Sequence, residues 1–395
     1  MYVSHNDQDR TKAILKERGT SLMKITDVIA SNLTIPYPGE VRPAWQPGLI
    51  TTSHNFTLVR IITDEGIIGI GGSSGHFAGV IQAQIKPYLV GEDPFSTERL
   101  ARIYRNAGSG IWCIDMALWD IIGKAAGLPL YKLWGSYCNK VQAYASPVEM
   151  GTPENRAELA THYQELGFGA MKLRLHNDKI KDDLAIVDAC QLATKGQMTF
   201  MVDANQATSL PSPKPGVRWD FQRALRMARE LETRNVLWLE EPLSRYDFEN
   251  LIRLREATEI KIAGGEKNQG LHEFRWLIER GVYDIIQPDC AMSEGVSQLR
   301  KVAAMAEMYH KQLVVHHSMS GIGLAAALHL TCTVPGTSWL EIMYEPGTRT
   351  IEAYQRLGGI LESKIWIDEN GFVTVPDEPG LGVTLNEKEI DKYAI

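Results

Sequence analysis

The chain contains the stretch Thr199-Phe-Met-Val-Asp-Ala-Asn205, a short apolar run that ends in an acid and a turn-forming residue. Two later stretches repeat the pattern: Val236-Leu-Trp-Leu-Glu-Glu-Pro242 and Ile260-Lys-Ile-Ala-Gly-Gly-Glu266. Short continuous apolar runs are typical of strands that are buried on both faces, as in a parallel sheet covered by helices. The acids Asp203, Glu240 and Glu266 therefore fall at the C-terminal ends of strands, where α/β barrels build their active sites.

These three acids indicate a bound cation. Three converging carboxylates would repel one another unless positive charge lay between them, and Mg²⁺ is the usual hard divalent cation with oxygen ligands. The competing interpretation is that they are unrelated surface acids before loops. Their recurrence in three βα units argues against that interpretation, and we predict a Mg²⁺ site.

Composition excludes several classes of protein. The 395 residues suffice for two domains, and a net charge of -7 without a long basic run argues against nucleic-acid binding. The five cysteines are scattered and lack metal-binding spacing, which is typical of reduced thiols in a cytoplasm. We find no membrane-spanning apolar stretch, and the first 20 residues are polar rather than signal-like. We expect a soluble, cytoplasmic protein that binds no membrane.

Eight apolar runs alternate with helical patterns in the second part of the chain. A strand-rich segment with a hairpin turn at Asp64-Glu65-Gly66 comes first, followed by helical patterns over residues 77–135. The eight runs cover residues 141–146, 170–175, 200–205, 237–242, 260–266, 284–289, 313–317 and 338–342. This alternation predicts an α/β fold with a modified (β/α)8 (TIM) barrel, whose first or last unit is altered.

Two loops and the tail complete this prediction. We expect a loop over residues 36–48, an insertion over the barrel mouth at residues 208–218, and a hairpin at residues 364–375 that returns to the N-terminal domain. Both loop segments are rich in proline or glycine, which favours irregular structure.

The order of the motifs resembles the enolase superfamily, and within it the mandelate racemase-like subgroup of the mandelate racemase and muconate lactonizing enzyme family. The resemblance covers nearly the whole chain. It rests on 114–129, 172–174, 202–205, 239–242, 264–266, 287–289, 316–323 and 340–341.

The resemblance implies the organisation of the chain. We expect an α+β capping domain that is completed by the C-terminal tail, and a homo-oligomer, either a dimer or an octamer. The expected segments are a polar extension at 1–23, the capping domain at 24–140, the catalytic barrel at 141–357 and the returning tail at 358–395.

The resemblance also assigns roles to residues. The Mg²⁺ ligands would be Asp203, Glu240 and Glu266, with Glu240 preferred over Glu241 because the family's ligand is the first acid before the proline. The catalytic residues would be Lys172, Arg174, Asp289, His316 and Glu341. Asp289 and His316 would form the acid–base dyad, with His316 preferred over His317 from the alignment of the following Ser-Gly-Ile-Gly stretch. Glu341 would hydrogen-bond the substrate carboxylate.

Substrate contacts are expected from five further residues. Arg42, Trp45 and His54 lie in or beside the N-terminal loop that closes over the barrel in the family. Lys267 either points into the site or screens the acids. His317 either points away from the strand end or contacts substrate only.

Arg174 decides which reaction we expect on a small carboxylate substrate. The shared reaction removes a proton α to a carboxylate and gives an enediolate that Mg²⁺ stabilises. Arg174 occupies the second position of the family's Lys-x-Lys pair, and an arginine stays protonated and is a poor base. One base favours an acid-sugar dehydratase, which expels a β-hydroxyl and gives a 2-keto-3-deoxy acid. An epimerase, racemase or cycloisomerase of a sugar acid or lactone is the alternative within the family, and a catalytically silent binding protein is the alternative outside it.

Overall fold

The computed structural model describes residues 23–105, 110–207, 210–317, 320–336 and 339–395. The predicted polar extension, apart from Met23, lies outside these residues, as do Thr208 and Ser209 of the predicted insertion. Within the described ranges, no helix is both long and apolar enough to cross a membrane.

The N-terminal domain begins with a three-stranded antiparallel sheet, whose strands are β1 (Ile25–Val41), β2 (Thr51–Thr63) and β3 (Ile68–Ser74) in that order. The predicted hairpin between β2 and β3 is confirmed. The loop predicted from Pro36 is wrong at its start, because β1 continues to Val41 after a register shift. β1 is an edge strand, where a proline costs no ladder hydrogen bond on the open side.

The helices of this domain pack on the sheet. Short helical segments cover 78–80, 81–85 and 86–89, and they are followed by α1 (Thr97–Tyr104), α2 (Cys113–Ala126) and a single turn at 130–133. α2 lies directly on β3, where a Cβ atom at Gly71 would stand 1.9 Å from the carbonyl oxygen of Cys113. Glycine at this position therefore allows the helix and the strand to approach closely.

Within the described residues, eight parallel strands form the barrel sheet. Each of the eight predicted runs overlaps one of them: β4 (Lys140–Ser146), β5 (Ala170–Arg174), β6 (Thr199–Asp203), β7 (Trp238–Glu240), β8 (Lys261–Gly264), β9 (Ile285–Ile286), β10 (Gln312–Leu313) and β11 (Leu340–Met343). The ladder runs in the order β10-β9-β8-β7-β6-β5-β4-β11. The predicted α/β barrel with an α+β N-terminal domain is confirmed. We retain the predicted domain boundaries as a proposal.

In the part of the chain that the structure describes, seven helices connect these strands. They are α3 (Pro153–Glu165), α4 (Ile180–Ala193), α5 (Phe221–Glu232), α6 (Phe248–Glu256), α7 (Gly270–Glu279), α8 (Val296–Met308) and α9 (Gly321–Thr331). β11 is followed instead by short helical turns at 351–355 and 357–359. The altered unit of the barrel is therefore the last one.

The first half of the C-terminal tail differs from the prediction, because its hairpin contacts the barrel. Its strand β12 (Phe372–Thr374) pairs with the first residues of β4, so the hairpin lies against the barrel. The residues beyond it reach the N-terminal domain. The backbone N–H of Leu381 donates to Asp120 at 2.8 Å, and after α10 (Glu387–Tyr393) Ala394 forms a β-bridge with Leu33.

Asp115 joins the two domains. The buried carboxylate accepts hydrogen bonds from the Tyr104 hydroxyl at 2.8 Å, and from the Ser297 backbone N–H at 2.8 Å and hydroxyl at 2.6 Å. Ser297 belongs to α8 of the barrel, whereas Tyr104 and Asp115 belong to the N-terminal domain. The contacts support a structural role for Asp115.

Replacing Asp115 by alanine is expected to lower the free energy of unfolding by about 2–4 kcal/mol, because buried donors would lose their acceptor. Denaturant unfolding monitored by circular dichroism would measure this loss. Glu65→Ala, in the exposed β2–β3 turn, is the control and should change stability by less than about 0.5 kcal/mol. Equal stability of the two variants would contradict a linking role for Asp115.

Candidate active site

The register of the barrel strands brings three functional side chains side by side. Arg174 at the end of β5 pairs with Asp203 on β6, and Asp203 pairs with Glu240 on β7. Below them, an inner layer of apolar and aromatic side chains that includes Tyr144 and Trp238 fills the barrel. The charged groups therefore lie directly above a packed apolar layer, at the C-terminal ends of the strands.

Lys172 and Arg174 form ion pairs with acids at the C-terminal ends of the barrel strands. The Lys172 ammonium lies 2.8 Å from Glu240 and 2.9 Å from Glu341. The Arg174 guanidinium forms an ion pair with Asp203 and also donates to the Ser146 hydroxyl at 3.0 Å. All five charged groups are almost completely buried. Burial, followed by the charge of Glu240, raises the pKa of Asp203 to about 7.

His316 lies between two carboxylates. Its Nδ1 is 2.7 Å from Asp289, and its Nε2 is 2.7 Å from Glu266. Burial by itself lowers the pKa of His316, but the charges of Glu266 and Glu341 outweigh burial and hold the pKa well above its ordinary value. His317 has a different environment: burial lowers its pKa to about 4, and its backbone N–H donates to Glu341 at 3.2 Å. The structure thus brings His316, and not the His317 ring, onto Asp289.

The three predicted metal ligands are each paired with a cationic side chain. Among the described residues, no three His, Cys, Asp or Glu side chains form a ready-made metal cluster. Asp203 pairs with Arg174, Glu240 with Lys172, and Glu266 with both Lys267 at 2.9 Å and His316.

Glu241 is a residue of this site whose environment the sequence pattern did not predict. Its backbone has a left-handed φ of 46°, and both carboxylate oxygens are buried without a hydrogen-bond partner. Burial, with the charges of Glu266 and Asp203, raises the pKa of Glu241 well above its ordinary value. Its place as the second acid before Pro242 was the only signal in the sequence.

The acidic side chains at the C-terminal ends of the barrel strands fit a hard divalent cation. The buried acids outnumber the cationic groups that contact them, and an unpaired buried carboxylate is costly unless a cation meets it. The acids are Asp203, Glu240, Glu241, Glu266, Asp289 and Glu341, and the cationic groups are Lys172, Arg174, Lys267 and His316.

A cavity of about 300 Å³ opens above these groups, between the N-terminal domain and the barrel. Three of the five predicted substrate contacts line it: Trp45, His54 and Lys267. The Trp45 ring centre is 5.5 Å from the Arg174 guanidinium. Arg42 lies apart, with an exposed side chain that pairs with Glu40 at 2.5 Å.

The described part of the predicted insertion, residues 210–218, lies beside this cavity. Together with Trp45, His176 and Asn205, most of its residues line a second space of about 320 Å³. The Lys214 backbone N–H donates to the Pro47 carbonyl at 3.0 Å, which ties the insertion to the N-terminal loop. The insertion thus forms part of the rim of the site.

Other residues of the site were not predicted from the sequence. Tyr37 and Arg349 line the cavity, Gln287 donates to Glu240 at 2.9 Å, and Asn205 donates to Asp203 at 2.9 Å. Asn205 and Gln287 lie inside motifs from which only the acids were predicted to be site residues. Tyr37 lies in the predicted N-terminal loop, whereas Arg349 carries no motif and only the fold brings it to the cavity.

Two family models match the chain. Residues 155–389 match the enolase C-terminal domain-like family, and residues 41–135 match the N-terminal domain of the mandelate racemase and muconate lactonizing enzymes.

Relatives and solved structures of similar length also match. The chain is 29% identical to the arabinonate dehydratase of Saccharolobus solfataricus over 88% of this chain and 92% of that one. It is 30% identical to the L-talarate/galactarate dehydratase of Salmonella typhimurium over 84% and 80% of the two chains. The structure resembles that of the Salmonella typhimurium LT2 L-talarate/galactarate dehydratase liganded with Mg and L-lyxarohydroxamate, with a TM-score of 0.81 and 27% identity over 95% and 94% of the two chains.

Proposed function

Because the chain belongs to the mandelate racemase and muconate lactonizing enzyme family of the enolase superfamily, we propose that it is a Mg²⁺-dependent dehydratase of a sugar acid. The observation that carries this proposal is the His316–Asp289 dyad, which faces the acids of the barrel mouth at the bottom of a small cavity. The dehydratases among its relatives support the same class of reaction.

Asp203, Glu240 and Glu266 would hold the metal ion. Their ion pairs with Arg174, Lys172 and His316 would have to open for the acids to bind it. The partnerless carboxylate of Glu241 is a further acidic group at the same end of the barrel. Bound there, Mg²⁺ would offset the negative charge that develops on the substrate carboxylate.

His316 would act as the base. Asp289 holds Nδ1 at 2.7 Å and so leaves Nε2 to take the proton from the α-carbon of the acid, once Nε2 is released from Glu266. Loss of the α-proton and of the β-hydroxyl, which leaves as water, gives an enol. Proton uptake at the β-carbon then gives the 2-keto-3-deoxy acid.

The surroundings of Lys172 and Arg174 support a reaction with a single base. Burial opposes a charge on Lys172, but Glu240 and Glu341 outweigh burial and raise its pKa above the ordinary value. Arg174 stays protonated and is fixed by Asp203 and Ser146. Neither side chain is suited to accept a proton from the second face of an α-carbon. Both can instead supply positive charge to a bound carboxylate.

A screen of mono- and dicarboxylic sugar acids is the experiment that tests this function. With Mg²⁺ present, we expect at least one acid to yield a 2-keto acid, detected by its carbonyl reaction with semicarbazide. Addition of a chelator should abolish the reaction, and excess Mg²⁺ should restore it. An epimer or a ring-opened lactone as the product would contradict dehydration and favour an isomerase. Absence of both turnover and Mg²⁺ binding would favour a silent binding protein.

A further inference from the structure

The cavity contains a second polar group of side chains that the proposed reaction does not use. Arg349 and His54 both line the cavity, and both pack on the ring of Tyr354. The Arg349 guanidinium is 3.6 Å from the centre of that ring, and the centre of the His54 ring is 4.9 Å from it. Tyr354 is completely buried, so it gives the pair a fixed support.

Among the residues that the structure describes, none supplies Arg349 with the anionic partner that a buried guanidinium needs. The residue is only 7% exposed, and its Nε is buried without a hydrogen-bond partner. No salt bridge among the described residues includes it, although its neighbour in the fold, Glu345, pairs with Arg156 at 3.1 Å. A buried positive charge is costly unless an anion meets it.

His54 adds a second unsatisfied polar atom to the same place. The residue is 6% exposed, and its Nε2 is buried without a hydrogen-bond partner. Burial, with the charge of Arg349 as the second cause, lowers the pKa of His54 to about 3. The imidazole is therefore neutral near pH 7 and can form a hydrogen bond without adding charge.

Trp45 connects this group to the catalytic end of the cavity. The centre of its ring is 5.5 Å from the Arg174 guanidinium and 6.0 Å from that of Arg349. Two cationic groups thus stand near one aromatic ring, one beside the acids of the barrel mouth and one on Tyr354. A short chain with an anionic group at each end can reach both.

We propose that Arg349 and His54 bind a second carboxylate at the distal end of the substrate, so that the substrate is a sugar dicarboxylic acid (an aldaric acid). This inference rests on the proposed function and names its substrate class. Arg349 would pair with the distal carboxylate, and His54 would form a hydrogen bond with that carboxylate or with the adjacent hydroxyl. The cavity, at about 300 Å³, is at the small end of the usual range for ligand sites, which suits a short, compact acid.

Pairs of acids with matched stereochemistry test the proposal on the unmodified enzyme. Galactarate and galactonate, or glucarate and gluconate, differ only in whether the last carbon is a carboxylate. With Mg²⁺, the acid that the enzyme dehydrates should be the dicarboxylate, with a kcat/KM about 100-fold or more above that of its partner. Turnover of monocarboxylic acids alone, or of a phosphorylated acid in preference to both, would overturn the aldaric acid proposal and leave the dehydratase in place. Absence of turnover on every acid would reject the proposed function itself.

Variants of Arg349 provide the second test. Arg349→Met should lower the ratio of kcat/KM for the dicarboxylate to kcat/KM for the monocarboxylate by about 100-fold, chiefly through a higher KM. Arg349→Lys, which keeps the charge, should recover part of that loss. Calorimetric Mg²⁺ affinity should be unchanged in both variants, which separates loss of the distal contact from a disturbed metal end. An unchanged ratio in Arg349→Met would overturn the proposal. Should that variant fail to fold, the matched pairs on the unmodified enzyme still decide the question.

Discussion

Replacing His316 by asparagine is expected to lower kcat by several orders of magnitude while the substrate and Mg²⁺ still bind. Removal of a general base typically costs about 10²–10⁴-fold. The loss should be at the upper end here, because in the proposed reaction the same imidazole would also return its proton to the leaving hydroxyl. Steady-state kinetics with the acid identified by the screen would measure kcat, and calorimetry would measure substrate and metal binding.

His317→Asn is the matched control for this experiment. The His317 ring contributes no hydrogen bond to Asp289, and its backbone N–H, which donates to Glu341, survives the substitution. We expect a loss of less than about tenfold, in line with the removal of a contact that is not part of the proton transfer. An inactive His317→Asn with an active His316→Asn would show that the base was assigned one residue too early. If both variants stay active, the base lies elsewhere, with Lys172 and Lys267 as the first residues to examine.

Substitutions of the three proposed metal ligands should have the second large effect. Asp203→Asn, Glu240→Gln and Glu266→Gln should each abolish turnover and weaken Mg²⁺ binding, because each removes a charged oxygen ligand. Loss of an outer-shell partner alone typically costs about 10–100-fold in metal affinity, so loss of a ligand should cost at least that much. Calorimetric titration with Mg²⁺ measures the affinity directly and does not depend on knowing the substrate.

Two controls define what this titration shows. Glu259→Gln, an exposed acid just before β8, should leave Mg²⁺ affinity unchanged. Glu241→Gln distinguishes the two acids of the Glu-Glu-Pro motif. If Glu241→Gln loses the metal and Glu240→Gln keeps it, the ligand is the second acid. If all three ligand variants bind Mg²⁺ as tightly as the unmodified protein, the metal site is not where we place it.

The fold was predictable because its signal is local and repeated. Each barrel strand is a short apolar run with its own turn, and eight such runs at regular intervals have few other solutions. The site residues at the strand ends follow from the same pattern, because the register of a parallel sheet sets Arg174, Asp203 and Glu240 side by side. The resemblance to the family implied that Asp289 and His316 would meet, and the structure places them 2.7 Å apart.

The features that the sequence did not predict depend on packing between segments that lie far apart in the sequence. Arg349 follows the last barrel strand without any motif, and its position is decided by the Tyr354 ring on which it lies. Arg42 illustrates the converse, since its place in the N-terminal loop suggested a substrate contact, whereas its side chain is exposed beside Glu40. The extension of β1 to Val41 and the pairing of β12 with β4 depend on neighbouring strands that the local sequence does not specify.

The arrangement also explains why Lys172 should not replace His316 as the base. The ammonium has two carboxylates within 2.9 Å, so removal of its proton would leave those acids without their cation. His316 differs because an imidazole ordinarily exchanges its proton near neutral pH, once its Nε2 is released from Glu266, and because Asp289 fixes its orientation. In the proposed reaction His316 is thus the only base, which favours dehydration over racemisation.

The most direct test of this account is the reaction of the identified acid with Mg²⁺ in deuterated water, followed by proton NMR. We predict that recovered substrate carries no deuterium at the α-carbon when hydroxide loss is fast. The first-formed product should be a 2-keto-3-deoxy acid with one deuterium at the β-carbon. An α-deuterated epimer of the substrate, formed without loss of water, would contradict a dehydratase with a single base.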